Sequence, residues 1–544
     1  MPVRKPLKST VMFPRTPRRK TTCKTSSARS TATARSPKRI LLAAALTALA
    51  CLSAGRARAT DAAPPIATIL AAYARATIGA DVKTIETSGT IAGEGLSGTF
   101  HSWRDGERER DDESLGPRFE TTLHVGKRVW VRDSNGDVQE ETGYLLRRAL
   151  TADFVDSGAF VHAPDHVQFL GFGSIGDKQT WKIRVNADGG EPETLWIDVQ
   201  SGLPLRTEYL DGDGPTYVDL SDWRDVGGMK IAFHSVTTDG EHDFDTVQQT
   251  AAILLGKPID PKLFAPLEGR TLIADGVQTV PLLDDGTRVA CAVQIAGKAY
   301  AFLIDSGSGD VLLDSRVARA AGIDEEGSLE VRGAVRAGGL HVGLVRRLSI
   351  GTASLDNLVV STMNLGEAAG HMRIDGILGY PFFASSMVQL DFAHHVMRFG
   401  PPGSIAPAGE RIPIDTDREV PEAVFRLDGK VDAPFLVDTG NGGGLLLYAP
   451  FVDGHPGIAA AAGATASSYV GIGGSDRSYA TSVPSLRLGS TVLSDQSADV
   501  IVAKSGAFAD RIDAGNVGLG LLRKFVVTFD FAGHALYLAR PGQS

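Results

Sequence analysis

The chain contains one phrase twice, and this duplication limits the folds open to it more than any other feature. Residues 301–312 read AFLIDSGSGDVL and residues 434–446 read PFLVDTGNGGGLL. In both, an apolar strand runs into Asp-Ser/Thr-Gly and leaves through a glycine-rich loop. The match extends upstream. Strand Val289–Ile295, turn Ala296-Gly297-Lys298 and strand Ala299–Ile304 precede Asp305, as strand Glu422–Leu427, turn Asp428-Gly429-Lys430 and strand Ala433–Val437 precede Asp438. It extends downstream too: Ile377-Leu378-Gly379 lies 72 to 74 residues after Asp305, and Gly518-Leu519-Gly520 lies 80 to 82 residues after Asp438. The phrases VQLDF (388–392) and VTFDF (527–531) follow, each with a return strand, at 396–399 and 535–538. An internal repeat with this many ordered matches predicts two half-domains folded alike. Asp305 and Asp438 are then expected to meet at one site.

The pattern resembles the aspartic proteases of the pepsin and retropepsin clan over about residues 277–538. The resemblance implies a mainly β fold, a bilobal pseudo-dimer in a single chain, with lobe 1 at 270–403 and lobe 2 at 404–544. It implies a catalytic pair, Asp305 and Asp438, loops braced by the hydroxyls of Ser306 and Thr439, and peptide or protein as substrate. In that family a hydrophobic-hydrophobic-Gly phrase supports each loop. Lobe 1 keeps it at 377–379, whereas Gly518 takes the first position of the expected phrase in lobe 2.

The residue types suit the chemistry. One carboxylate takes a proton from water while the other carboxyl group hydrogen-bonds the scissile carbonyl, so the pair must hold one shared proton. Two carboxyl groups roughly 3 Å apart do not both ionise cheaply, which supplies that state. Gly307 and Gly440 let the backbone pass closely beneath the pair. Water is the nucleophile, so this chemistry calls for no cofactor and no metal. A mobile hairpin that excludes bulk water is expected over such a site. Gly471, Ile472, Gly473 and Gly474 resemble a retropepsin flap tip, with 333–339 as the lobe 1 counterpart. Asn441 with the run Gly442-Gly443-Gly444 predicts a looser second loop.

Other carboxylates have simpler readings. Asp391 and Asp530 precede hairpin turns, and Asp310 and Asp314 either tune the first loop or cap the helix expected at 315–321. His394 and His395 read as solvated turn residues. No Ser/His/Asp order or Gly-x-Ser-x-Gly elbow competes for nucleophilic catalysis.

Upstream, residues 66–78 carry apolar groups at helical spacing (Ile66, Ile69, Leu70, Tyr73) before Gly79. Short strands divided by Asp-Gly and Asn-Gly turns follow. A helix followed by an antiparallel meander is an α+β arrangement. The phrases GTFHSWRDGER (98–108) and LWIDVQSGLPLR (195–206) resemble the lipoprotein-sorting LolA-like half-barrel, which places such a domain at 60–265 and implies a possible apolar ligand there. The five tryptophans, all in this segment, read as core. The prolines Pro258, Pro261 and Pro266 read as a linker.

The first 59 residues hold 14 Lys/Arg and no Asp or Glu, then a 13-residue apolar run from Ile40 to Leu52, then Ala57-Arg58-Ala59. Together these read as a secretory signal and basic leader at 1–59, too short in its apolar run for a stable membrane span, and predict a periplasmic or secreted protein. The remainder keeps 55 − 14 = 41 basic residues against 64 acidic ones, a formal charge of −23, which argues against nucleic acid as a partner. Of three cysteines only Cys291 follows the leader, so no disulfide and no multi-thiolate zinc site is available to the mature chain. Two readings of the whole stand: an aspartic endopeptidase using Asp305 and Asp438, or a non-catalytic protein that binds a peptide, lipid or lipoprotein.

Overall fold

The structure is a computed structural model that describes residues 63–542 apart from 79–81, 213, 241, 243–244, 271, 331–338, 366–371, 460–465, 472–473 and 504–505. The leader therefore lies outside the described residues. Among the described residues no helix is long and apolar enough to cross a membrane.

The N-terminal helix runs over Ile66–Thr77 and buries Ile69, Leu70 and Tyr73. These pack with Phe160 and with Trp181, Ile183, Val185, Leu195 and Ile197 from two adjacent strands. The strands belong to one antiparallel sheet of thirteen that begins with Thr84–Gly93 and ends with Thr246–Leu255, these two lying side by side at its middle. One half of the sheet thus buries an apolar face under the helix. The other half differs. Register sets Arg104 beside Glu109 and Glu109 beside His124, and Glu109, Glu113 and His124 are all buried. These groups have polar partners: Arg104 donates to Glu109 at 2.9 Å, the neutral amide of Gln248 donates to Glu113 at 2.7 Å, and His124 meets Asp153 at 3.1 Å. The tryptophans depart from the expected core: only Trp181 joins it. Trp130 lies under Arg128 and Trp196 under Lys182, where a half-exposed indole face attracts a cation. The proline segment follows the last strand of this sheet, Thr246–Leu255, on the way to lobe 1. Pro261–Phe264 makes a short 3-10 turn whose Phe264 is buried beneath Arg108.

The two lobes repeat one topology. In lobe 1, strands run Val289–Ile295, Lys298–Ile304, Gly376–Leu378, Leu312–Asp314, Ala353–Met363, Gly339–Ile350, Glu325–Glu330 across the sheet. In lobe 2 the matching order is Glu422–Leu427, Val431–Asp438, Gly515–Gly518, Leu445–Tyr448, Thr491–Ile501, Gly474–Leu488, Ala466–Gly471. A third sheet of six strands joins the lobes, and Met387–Asp391 of lobe 1 pairs antiparallel with Val526–Asp530 of lobe 2 at its centre. Phe382, Phe383, Phe399, Phe529 and Phe531 pack over it with ring centroids 5.3 to 6.3 Å apart. Each fully buried aromatic contributes about 1.5–3 kcal/mol of transfer free energy, so this cluster is a main bond between the halves.

The N-terminal domain is docked on both lobes. The helix Tyr144–Asp156 was not evident from sequence, and its N-cap Gly143 offers no side chain. Its cap comes from lobe 2: Asp417 Oδ2 accepts the N–H groups of Gly143 and Leu145, each at 2.9 Å. On lobe 1, Asn135 pairs with the backbone of Val359 through both side-chain atoms, at 2.8 and 3.2 Å. Ile91, Leu96 and Leu115 form an apolar cluster with Val342 and Val359.

Carboxyl groups crowd this seam. Burial and then the neighbouring Asp415 push Asp417 up to about 7, and burial pushes Asp133 up to about 6. Glu141 also faces Asp417, and Asp310 faces Asp133. Groups whose folded pKa is raised stabilise fully below their unfolded value, about 3.9 for Asp, and that stability is lost as pH rises through the folded value. The thermal midpoint is therefore expected to fall between pH 5 and pH 8. Asp417→Asn, which keeps an acceptor for the helix cap, should raise the midpoint at pH 8 by about 2–4 °C and change it less at pH 5, as read by scanning calorimetry.

Candidate active site

Each of the two loops begins where an apolar strand ends. Lys298–Ile304 delivers Asp305, and Val431–Asp438 ends on Asp438. A short parallel strand supports each from below: Ile304 pairs with Leu378, and Val437 pairs with Val517. This register corrects the expected support phrase in lobe 2. Asn516-Val517-Gly518, not Gly518-Leu519-Gly520, holds the place of Ile377-Leu378-Gly379. The next bonds agree: Tyr380 N–H donates to Ser308 C=O, and Leu519 N–H donates to Asn441 C=O, both at 2.8 Å. A polar Asn516 interrupts the apolar pattern, while the Gly-Leu-Gly two residues later imitates it.

The hydroxyls of Ser306 and Thr439 cross between the loops. Ser306 Oγ donates to Val437 C=O at 2.7 Å and accepts the Thr439 N–H at 3.1 Å. Thr439 Oγ1 donates to Ile304 C=O at 2.8 Å and accepts the Ser306 N–H at 2.9 Å. Both residues are fully buried. Four backbone groups that neither sheet pairs are thereby satisfied, as buried polar groups must be.

The crossing leaves no room for side chains at the glycines. A Cβ on Gly307 would lie 2.6 Å from Asp438 Cγ, and one on Gly440 would lie 2.3 Å from Asp305 Cγ. Each loop thus passes directly against the other loop's carboxyl group. Gly307 N–H donates to Asp305 Oδ1 at 3.0 Å, and Gly440 N–H donates to Asp438 Oδ1 at 2.8 Å.

The two carboxyl groups lie beside one another, each against the other loop's glycine, and both are held above the ordinary aspartate range. Burial is the main cause for each. For Asp305 the neighbouring Asp438 adds to it, and the pKa is raised strongly. For Asp438 the rise is opposed by donors: Asn516, Asn441 N–H and Gly440 N–H. Two coupled carboxyl groups with one shared proton suit general acid–base chemistry on a water molecule.

The second loop is tied down rather than loose. Asn441 is buried, its Oδ1 accepts the Gly443 N–H at 2.8 Å, and its Nδ2 donates to Asn516 Oδ1 at 2.9 Å. Gly443 and Gly444 carbonyls accept N–H groups from Gly520 and Gly518 at 2.7 and 2.8 Å. A Cβ on Gly518 would meet Gly443 O at 2.6 Å, so glycine here permits a close approach. The sequence reading missed Asn516 as a site residue. The signal available was a lone polar residue in an apolar support strand.

The remaining candidates fall outside the pair. Asp314 caps the helix Ser315–Ala321 by accepting the Arg316 N–H at 2.8 Å. Asp310 is buried, bonds Ser361 Oγ, and is pushed up to about 6 mainly by burial. Asp391 and Asp530 accept the N–H groups of His394 and Gly533 in their turns. His394 and His395 are exposed. Cys291 is fully buried and its thiol is pushed up to about 12 by burial. Each lobe carries a hairpin at the matching place in its sheet. Gly471 pairs with Gly474 across the lobe 2 hairpin, whose tip, Ile472 and Gly473, lies outside the described residues. Glu330 pairs with Gly339 in lobe 1, with 331–338 likewise outside.

No curated protein sequence matches the chain. Among solved structures, the aspartic proteinase of Irpex lacteus is similar at 12% identity, covering 49% of this chain and 98% of that one with a TM-score of 0.31. A retropepsin-like aspartic protease from Rickettsia conorii is similar at 15% identity, covering 23% of this chain and 90% of its own, TM-score 0.18. A LolA superfamily protein from Nitrosomonas europaea is similar at 15% identity, covering 38% of this chain and 99% of its own, TM-score 0.27. The model of the aspartyl protease family matches residues 291–382, the stretch that runs from within strand Val289–Ile295 through Asp305 to just past Ile377-Leu378-Gly379.

Proposed function

We propose that the protein is an aspartic endopeptidase in which Asp305 and Asp438 activate a water molecule against the peptide bonds of a polypeptide substrate. The observation that carries this reading is the interlocked pair of loops, in which each loop's glycine backs directly onto the other loop's carboxyl group above crossed Ser306 and Thr439 hydroxyls. A protein that only bound peptide would have no need to keep two carboxyl groups against each other at the cost of burying them. The hairpins ending at Gly471 and Gly474, and at Glu330 and Gly339, are assigned as flaps that close over the substrate. The leader, with its basic start, apolar run and Ala57-Arg58-Ala59, supports export, so we place the mature enzyme in the periplasm or outside the cell. The N-terminal domain is read as a platform docked on both lobes. Its buried Glu109, ion-paired with the half-buried Arg104, favours this role over an acyl carrier, because an acyl chain gains nothing against charged groups.

The test is cleavage of a peptide library by the mature protein over a pH series, with Asp305→Asn and Asp438→Asn alongside. Each substitution is expected to lower kcat/KM by about 10²–10⁴-fold or more. Survival of full activity in either variant, or no cleavage by the wild type at any pH, would overturn the proposal. The profile should be bell-shaped. Activity is lost in acid as the second carboxyl takes up a proton, and in alkali as the shared proton leaves. Because the Asp305 pKa is raised strongly, the alkaline limb is expected well above the ordinary aspartate range.

Gly440→Ala tests the geometry separately. A methyl group directed at Asp305 must push the loops apart, and a displacement near 1 Å should lower kcat by about 10²-fold. The melting profile should change much less than it does for the Ser306→Ala, Thr439→Ala double variant.

A further inference from the structure

Asn516 stands where lobe 1 has Ile377, since Leu446 pairs with Asn516 as Leu312 pairs with Ile377 in the two support strands. Its side chain is buried and donates through Nδ2 to Asp438 Oδ2. The direction of this bond is fixed by a chain of amides. Gly443 N–H donates to Asn441 Oδ1, Asn441 Nδ2 donates to Asn516 Oδ1, and Asn516 is left with Nδ2 to offer the carboxylate. Every link needs the amide orientation of the one before it, so neither asparagine can turn over without breaking a bond. A directional chain ending on a carboxylate polarises toward the negative charge. On the other side, Ile377 is an alkyl side chain with no hydrogen to donate.

We propose that Asn516, held by Asn441, is a positioning residue that breaks the symmetry of the dyad, keeping Asp438 as the carboxylate and leaving the shared proton on Asp305. This rests on the reading of the pair as a hydrolytic dyad. Three donors reach Asp438: Asn516 Nδ2, Gly440 N–H at 2.8 Å and Asn441 N–H at 3.0 Å. Asp305 Oδ1 accepts Gly307 N–H at 3.0 Å, and Gly440 N–H also acts on Asp305, which makes two donors there against three. Hydrogen bonds to the charged form favour ionisation, and Asp438 has more of them. The stronger upward displacement of Asp305 agrees with this order.

The roles in hydrolysis follow. Asp438 takes a proton from water as the water oxygen bonds to the scissile carbonyl carbon. The C=O electron pair moves to the carbonyl oxygen, which takes the proton of Asp305, giving a gem-diol. The C–N bond then breaks with its electron pair on nitrogen, and the nitrogen takes the proton from Asp438. A diol hydroxyl returns its proton to Asp305 as C=O reforms. One water is consumed, an acid and an amine are released, and both aspartates regain their starting states.

The experiment is the pH profile of kcat/KM for Asn516→Leu and Asn516→Ala beside the wild type. Loss of the donor should move the acid limb up by about one pH unit, because one hydrogen bond to the charged form is lost. An acid limb that stays in place or moves down, even with lowered activity, makes Asn516 merely structural and overturns the proposal. A second measurement needs no variant of Asn516 to fold. In wild-type protein labelled with ¹³C at aspartate carboxyl carbons, with signals assigned through Asp305→Asn and Asp438→Asn, Asp438 should show a carboxylate shift at pH values where Asp305 still shows a carboxylic acid. The reverse order overturns the assignment. Failure of the hydrolytic reading would appear differently, as absence of cleavage by the wild type, and the carboxyl shifts would still locate the proton.

Discussion

The crossed hydroxyls of Ser306 and Thr439 are the interaction on which the site depends. Each lobe closes its own sheet, and neither sheet supplies partners for the backbone at the point where the loops meet. The two side chains supply them, each donating to a carbonyl and accepting an N–H from the opposite strand end or loop. Such bonds contribute about 1 kcal/mol each when formed, but a buried group left without its partner costs about 1–3 kcal/mol. The arrangement is therefore close to all-or-none: the lobes meet in one register or leave several buried groups unsatisfied. The six-stranded sheet and its phenylalanines hold the lobes together from beneath with large but less directional burial. Packing sets the distance between lobes, and the hydroxyls set the register of the loops within it.

Sequence made the repeat legible because strand, turn, loop and hairpin each leave a local mark. The helix at Ile66–Thr77 was visible for the same reason. What stayed hidden depends on distant partners. The helix Tyr144–Asp156 begins at a glycine with no capping side chain, and its cap is a carboxylate 274 residues away in sequence. Asn135-Gly136 marks a turn locally, but its role as a strand-like partner of Val359 is written in another domain. The lobe 2 support phrase was displaced by two residues because pattern matching prefers the apolar Gly-Leu-Gly to a strand that opens with asparagine. The site aspartates were visible; the asparagine that differentiates them was not.

The docking of the N-terminal domain is built on the same kind of distant pairing. Polar groups fix its orientation, through Asp417 on lobe 2 and Asn135 against lobe 1, while Ile91, Leu96 and Leu115 supply the apolar contact with Val342 and Val359. Crowding several carboxyl groups into this seam makes its strength a function of pH, since the burial that raises their pKa values favours the protonated seam. The seam and the dyad respond to the same variable for the same reason, the expense of burying a carboxylate. In the polar half of the sheet the buried Glu109 is paired with Arg104, and the buried Glu113 accepts from the Gln248 amide.

Fusing two halves in one chain has a chemical consequence that an assembly of identical chains lacks. In a symmetric pair every donor reaching one carboxyl group is matched by a donor reaching the other, so the shared proton has no preferred side until substrate arrives. A fused repeat allows the halves to differ at single positions while the crossed hydroxyls keep the loops in register. Here the polar difference in the support strands is Ile377 in lobe 1 against Asn516 in lobe 2. The surrounding geometry is preserved: the glycines at Gly379 and Gly518 still pack beneath their loops, and Tyr380 and Leu519 still bond the loop carbonyls. Only the electrostatics change. A buried amide beside one carboxyl group is a small alteration in volume, but in a low-dielectric site it weighs directly on where a proton rests. The duplicated phrase thus supplies the scaffold of the site, and the polar departure at Asn516 supplies the direction we propose for its chemistry.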